Sequence, residues 1–190
     1  SGGVTLVARG VDSRGVLYAV GEILRRSDAA GHGLDFPVPI EFRSAPAFEV
    51  RGTQFGQSGV ALQKGKVRRW TEREKQRKIE DYALAGLNTV QTNAHNGGDP
   101  MYHFIRSMGL KTMEHYGPNV GSGPPEWLAS ESIGRLGYLC PSIAAAREAL
   151  LKKCDDTFRN SAPLDYVVFV GGDGGGCECD RCRPYGGVFI

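Results

Sequence analysis

The stretch Tyr166-Val167-Val168-Phe169-Val170, closed by Gly171-Gly172-Asp173, decides how the chain is read. Five apolar residues without alternation are the pattern of a strand covered on both faces, and such strands belong to parallel sheets. A parallel sheet requires crossovers, so helical sequence should precede this strand. Upstream, Ile143, Ala146, Leu150, Leu151, Cys154 and Phe158 form a helical stripe behind an N-cap expected at Ser142. A short helix is expected at 126–130, after the Gly- and Pro-rich residues 117–125. Before these come a strand at 111–116, Gly109, a helix at 101–108, a loop at 93–100 and a strand at 89–92. Further back, Thr71-Glu72-Arg73-Glu74 fits a capping box and opens a helix that runs to about Gly86. Residues 47–55, between Pro46 and Gly56, read as the first strand. From residue 47 onward the order is therefore strand, helix, strand, helix, strand, helix, strand, which predicts a parallel α/β sheet.

Two architectures carry that order: an open doubly wound sheet and a (β/α)8 barrel. Polar residues gather after the strands, where barrel enzymes build their sites, and no phosphate-type glycine fingerprint follows the first strand, so the barrel is favoured. Four strands make half of it. Half a barrel leaves strand edges and a core face open, so the chain is expected to be a fragment whose partner is the remainder of its own barrel. Ahead of the barrel, residues 4–8 read as a strand. The turn Asp12-Ser13-Arg14-Gly15 leads into a helix whose Val16, Leu17, Val20, Ile23 and Leu24 should face inward, and residues 36–42 read as a second strand. The expected organisation is a small α/β flap over residues 1–44 and the first half of a (β/α)8 TIM barrel over 45–190.

Composition excludes several function classes. Of 190 residues, 41% are hydrophobic and 23% charged, values of an ordinary globular chain and not of a disordered one. Lys and Arg total 23 against 21 Asp and Glu, and the net charge of +2 does not suggest a nucleic-acid partner, which needs a clustered basic face. The basic run at 64–69 reads as a solvated loop before the helix. No apolar run approaches a membrane span of about 18 residues, so no membrane partner is expected.

Arg14-Gly15-Val16-Leu17-Tyr18-Ala19-Val20-Gly21-Glu22-Ile23-Leu24 resembles the flap helix that precedes the barrel in β-N-acetylhexosaminidases and, more loosely, in α-glucuronidases. Ser44-Ala45-Pro46-Ala47-Phe48-Glu49-Val50-Arg51-Gly52 is similar to their entry into the first barrel strand. Asn88-Thr89-Val90 and Gly171-Gly172-Asp173 continue the likeness. The resemblance implies a glycosidase, a hydrolase acting on glycosyl bonds of oligo- or polysaccharides, secreted to an extracellular or periplasmic location. It needs no cofactor for catalysis. It also implies that Arg51, expected at the end of the first strand, grips sugar hydroxyls. Gly174 stands where hexosaminidases carry the general-acid glutamate after the aspartate, so the acid is expected elsewhere. A non-catalytic carbohydrate-binding relative is the alternative that this departure leaves open.

The residues themselves nominate further candidates. Asp173 directly follows an apolar strand, where a carboxylate suits a ligand better than it suits structure, and Glu114 lies near the end of the third strand; these two are the expected catalytic carboxylates. Asn93, His95 and Asn96 follow the second strand and can bind hydroxyls or simply shape a turn. His115 alternates with Glu114 and Tyr116, so it points to the other face. His32 and His103 read as surface or core residues. Three of the five cysteines fall in Cys177-Glu178-Cys179-Asp180-Arg181-Cys182. Cys177, Cys179 and Cys182 can wrap a structural zinc with one more ligand, or form a disulfide within the loop, into which Cys140 or Cys154 could be drawn, or remain thiols.

Overall fold

The structure, a computed structural model, describes residues 5–31, 33–36, 41–53, 60–63, 66–129, 137–170 and 177–183. In chain order its elements are α1 (Ser13–Arg25), the hairpin β1 (Asp28–Ala30) and β2 (Gly33–Asp35), β3 (Gly52–Thr53), the hairpin β4 (Val60–Gln63) and β5 (Lys66–Arg69), α2 (Glu72–Leu84), β6 (Thr89–Gln91), α3 (Pro100–Ser107), β7 (Lys111–Tyr116), α4 (Ala144–Arg159) and β8 (Tyr166–Phe169). The fold is mixed α/β. Its main sheet has four strands in the order β3-β6-β7-β8, with β3 parallel to β6 and β7 parallel to β8. Neighbouring strands in this sheet are therefore in sequence order.

Contacts divide the chain into two compact units, Ser1–Thr92 with Pro100–Thr112, and Asn93–Asp99 with Met113–Ile190. In the first unit, Asp12 caps α1 by accepting the Gly15 N–H at 2.7 Å. The Thr71 box opens α2 as its sequence predicts, with Thr71 and Glu74 reciprocally bonded. Gly86, at φ +91°, ends it: the Gly86 and Leu87 N–H groups return to Ala83 and Tyr82, a stop that a residue with a Cβ makes only with strain. Ile79 and Ala83 of α2, Val90 of β6, Met101 and Ile105 of α3, and Leu110 form the core of this unit. The period of α2 thus buries one stripe of an otherwise highly charged helix.

In the second unit burial alternates along β7. Within it Glu114 and Tyr116 are buried while His115 between them is partly exposed. Leu139, Ala146 and Leu150 form one apolar cluster, and Ala129, Cys140, Cys177 and Cys182 form another.

Several local expectations are corrected. The described part of residues 4–8 forms no strand, and after α1 residues 28–30 pair antiparallel with 33–35, a hairpin the sequence pattern did not indicate. The first main-sheet strand spans two residues among those described, because residues 47–51 lie outside the ladder. The basic run 64–69 lies largely in the hairpin β4–β5 and is not a plain loop. Ser142 does not cap α4, which starts at Ala144 after Ile143. The apolar stripe of α1 is half exposed at Val16, Val20 and Leu24. It is Gly21 that is buried, because the face turned to α2 is chosen by close approach and not by the count of apolar residues. β8 is not covered on both faces: Phe169 is 62% exposed, on a strand at the margin of the sheet.

Candidate functional site

Glu114 lies in the C-terminal half of β7, on the face that alternation turns inward. The chain leaving β6 forms a 3-10 turn at His95–Gly97 beside it. Asn93 starts that turn, its Oδ1 accepting the His95 N–H at 3.0 Å. The turn aims two donors at one carboxylate: the Ala94 N–H reaches Glu114 Oε2 at 3.1 Å, and His95 Nε2 lies 2.9 Å from Glu114 Oε1. The Glu114 side chain is 11% exposed and that of His95 47%, so a sheltered carboxylate meets an imidazole that reaches solvent. His95 also borders an open groove of about 630 Å³ whose far side carries Lys152, Lys153, Asp156 and Asn160 of α4. Such a pair can relay a proton between a carboxylate and bulk water or hold a ligand hydroxyl.

Neighbouring positions are placed differently. His115 Nε2 is buried with no hydrogen-bond partner, as is the Tyr116 hydroxyl. Burial, and then the neighbouring Cys154, pushes the Tyr116 phenol up to about 12. Its ring packs against Phe158 and Phe169. Asp173 lies outside the described residues. Of Asn96, only the backbone of its turn is described.

Arg51 immediately precedes β3 and does not lie at its end. Its Nε donates to the Gly86 carbonyl at 2.8 Å and its Nη1 to the Phe48 carbonyl at 2.6 Å. Its own N–H meets Asn88 Oδ1 at 2.9 Å, and its guanidinium lies 5.5 Å from the Tyr18 ring centre. These contacts tie the start of β3 to the end of α2. The structure therefore brings Glu114, His95 and Asn93 together, and holds Arg51 within the framework of the other compact unit.

The cysteines form a second constellation. The sulfurs of Cys140, Cys177, Cys179 and Cys182 all lie within 4.8 Å of one another. Cys140 Sγ is 3.8 Å from both Cys179 Sγ and Cys182 Sγ. All five cysteines are free thiols, and Cys154 stands outside the cluster. Residues 179–183 form a turn in which the Cys182 and Arg183 N–H groups both reach the Cys179 carbonyl at 2.9 Å. Cys140 is presented by a second segment, where its N–H donates to the Trp127 carbonyl at 2.8 Å and Leu139 bridges Leu128. The Ser142 hydroxyl lies 3.0 Å from Cys140 Sγ and 3.6 Å from Cys179 Sγ, so the residue that resembled a helix cap serves the sulfurs instead.

The Ser142 hydroxyl, together with the Cys182 and Arg181 N–H groups, holds the Cys179 thiol low, at about 6. Burial, then the Cys179 sulfur, pushes Cys182 up to about 12. Four sulfurs so placed are close enough to bind a metal ion. Sequence spacing pointed to three of them; Cys140, 37 residues before Cys177, carries no spacing signal. Its only mark is that it precedes a proline outside the apolar stripe of α4.

No protein-family model matches the chain, and neither curated proteins nor solved structures provide a match.

Proposed function

We propose that the chain is the N-terminal part of a glycoside hydrolase, a small α/β flap followed by the first four strands of a (β/α)8 barrel, similar to β-N-acetylhexosaminidases and α-glucuronidases. The observation that carries this reading is Glu114: a sheltered carboxylate near the C-terminal end of a parallel strand, held by the Ala94 N–H and by His95 from the turn after the preceding parallel strand. Barrel enzymes place their acids and bases at this end of the strands. The sequence order of the four strands supports the barrel over a doubly wound sheet, whose order reverses at a switch point.

In this reading Glu114 acts as acid or base at the glycosidic oxygen, or as its carboxylate partner, and His95 fixes its orientation. Asn93 shapes the turn and Arg51 braces the first strand. The cysteine cluster holds a structural zinc, and catalysis uses no cofactor. Hydrolysis of a panel of aryl glycosides by the complete barrel enzyme of which the proposal makes this chain a part, together with binding to a glycan panel, tests the proposal. Glu114→Gln should lower turnover by about 10²–10⁴-fold while sugar binding persists. Binding without turnover in the unaltered protein would favour the non-catalytic relative. Neither binding nor turnover would overturn the reading altogether.

A further inference from the structure

Geometry alone identifies the fourth ligand of the cysteine site. A tetrahedral zinc with Zn–S bonds of about 2.3 Å requires neighbouring sulfurs about 3.8 Å apart. The Cys140 sulfur stands at that spacing, 3.8 Å, from both Cys179 and Cys182. A disulfide instead requires about 2.05 Å. The side chains are also sheltered as a closed site demands: Cys140, Cys177 and Cys182 are 3%, 3% and 5% exposed and pack with Ala129, while Tyr138 and Ile143 cover them.

We infer that Cys140, Cys177, Cys179 and Cys182 form a closed tetrahedral site for one zinc ion, with Cys140 as the fourth ligand. The inference rests on the structural-zinc part of the proposed function and is independent of any glycosidase activity. Four sulfurs fill the coordination sphere and leave no position for water or substrate, so the ion is structural. All-sulfur tetrahedral sites favour zinc or iron among common metals, and zinc needs no redox partner. Binding releases the thiol protons, and the resulting doubly negative centre needs donors around it. The Ser142 hydroxyl lies beside two of the sulfurs, 3.0 Å from Cys140 Sγ and 3.6 Å from Cys179 Sγ.

The consequence is a clasp. Residues 177–183 hold three ligands on a short turn with little other regular structure, and Cys140 belongs to the bridged segment that leads into α4. Metal binding therefore joins the turn after β8 to the entry of α4, a link of 37 residues in sequence that no described disulfide supplies.

The test uses the full chain, reduced, loaded with zinc and desalted. Metal analysis should find about one zinc per chain, and X-ray absorption at the zinc edge should show four sulfurs at about 2.3 Å. Three sulfurs and one lighter atom would overturn the inference while leaving a three-cysteine zinc in place. Cys140→Ser should weaken zinc, measured against a chromophoric chelator, by more than the 10–100-fold typical of outer-shell changes. Cys154→Ser, whose sulfur lies outside the cluster, should leave affinity unchanged. Equal zinc affinity in both variants would likewise exclude Cys140. If Cys140→Ser does not fold, the absorption spectrum of the unaltered protein still decides the ligand count. A metal-free protein under reducing conditions, one that retains iron and refuses zinc, or a mass two hydrogens lower without reductant would overturn the zinc reading itself.

Discussion

The Glu74 carboxylate accepts from both terminal nitrogens of Arg68, at 2.7 and 2.6 Å, and from the main-chain N–H and the hydroxyl of Thr71, at 2.8 and 2.9 Å. One side chain thereby closes the capping box of α2 and fastens the helix to β5. These bonds, the Arg68 guanidinium foremost, hold the Glu74 carboxyl well below the usual carboxylate value of 4.5. Its stabilising contribution is therefore complete above that value and is lost as pH falls below it, because acid protonates the unfolded chain first. Thermal midpoints of the protein and of Glu74→Gln should differ most near about pH 7 and converge toward about pH 3. A gap that stays constant with pH would show that the charge plays no part. The box was legible in Thr71-Glu72-Arg73-Glu74, since capping depends on residues three apart. The Arg68 partner was not, because it required knowing that 66–69 is a strand and not a loop.

Between elements, the contact of α1 with α2 shows how periodicity can be right and the buried face only partly so: Leu17 packs on the core of the first unit while Val16, Val20 and Leu24 are exposed. Tyr18, Gly21 and Arg25 recur at helical spacing and meet the end of α2. The Tyr18 hydroxyl donates to the Leu87 carbonyl at 3.2 Å and Arg25 Nη1 donates to the Leu84 carbonyl at 2.5 Å. A Cβ on Gly21 would stand 1.9 Å from that same Leu84 oxygen. The Leu84 carbonyl, which the helix end leaves without an intrahelical partner, and the Leu87 carbonyl just beyond the helix thus receive donors from α1. Gly21→Ala should destabilise the protein by about 1–3 kcal/mol through overpacking, against the gain of about 1 kcal/mol that alanine brings to a helix interior. Urea denaturation measures the balance, and a more stable variant would show that α1 does not approach α2 this closely.

At the scale of the whole molecule, stability concentrates in small clusters within each compact unit. Ile79 is fully buried among Ala83, Val90, Met101, Ile105 and Leu110. Ile79→Ala should cost about 2–5 kcal/mol, and a midpoint shift in urea too small for that range would show the cluster is loosely packed. Sequence alone determined the α/β class, the four helices within a few residues, and the strands β6, β7 and β8. Each of these depends on hydrogen bonds and burial that repeat every two or 3.6 residues along a local stretch. It also marked Glu114, His95 and the three clustered cysteines as candidate site residues. It could not tell which face of α1 is buried, that Arg51 precedes its strand, or that β8 has an open side, since these depend on neighbours distant in the chain. Only the tertiary structure set the Ala94 N–H and His95 against Glu114, and Cys140 and the Ser142 hydroxyl against the loop sulfurs. Both constellations join residues some 20 to 40 positions apart, Ala94 and His95 with Glu114 and Cys140 with Cys177, a separation across which no periodic signal survives.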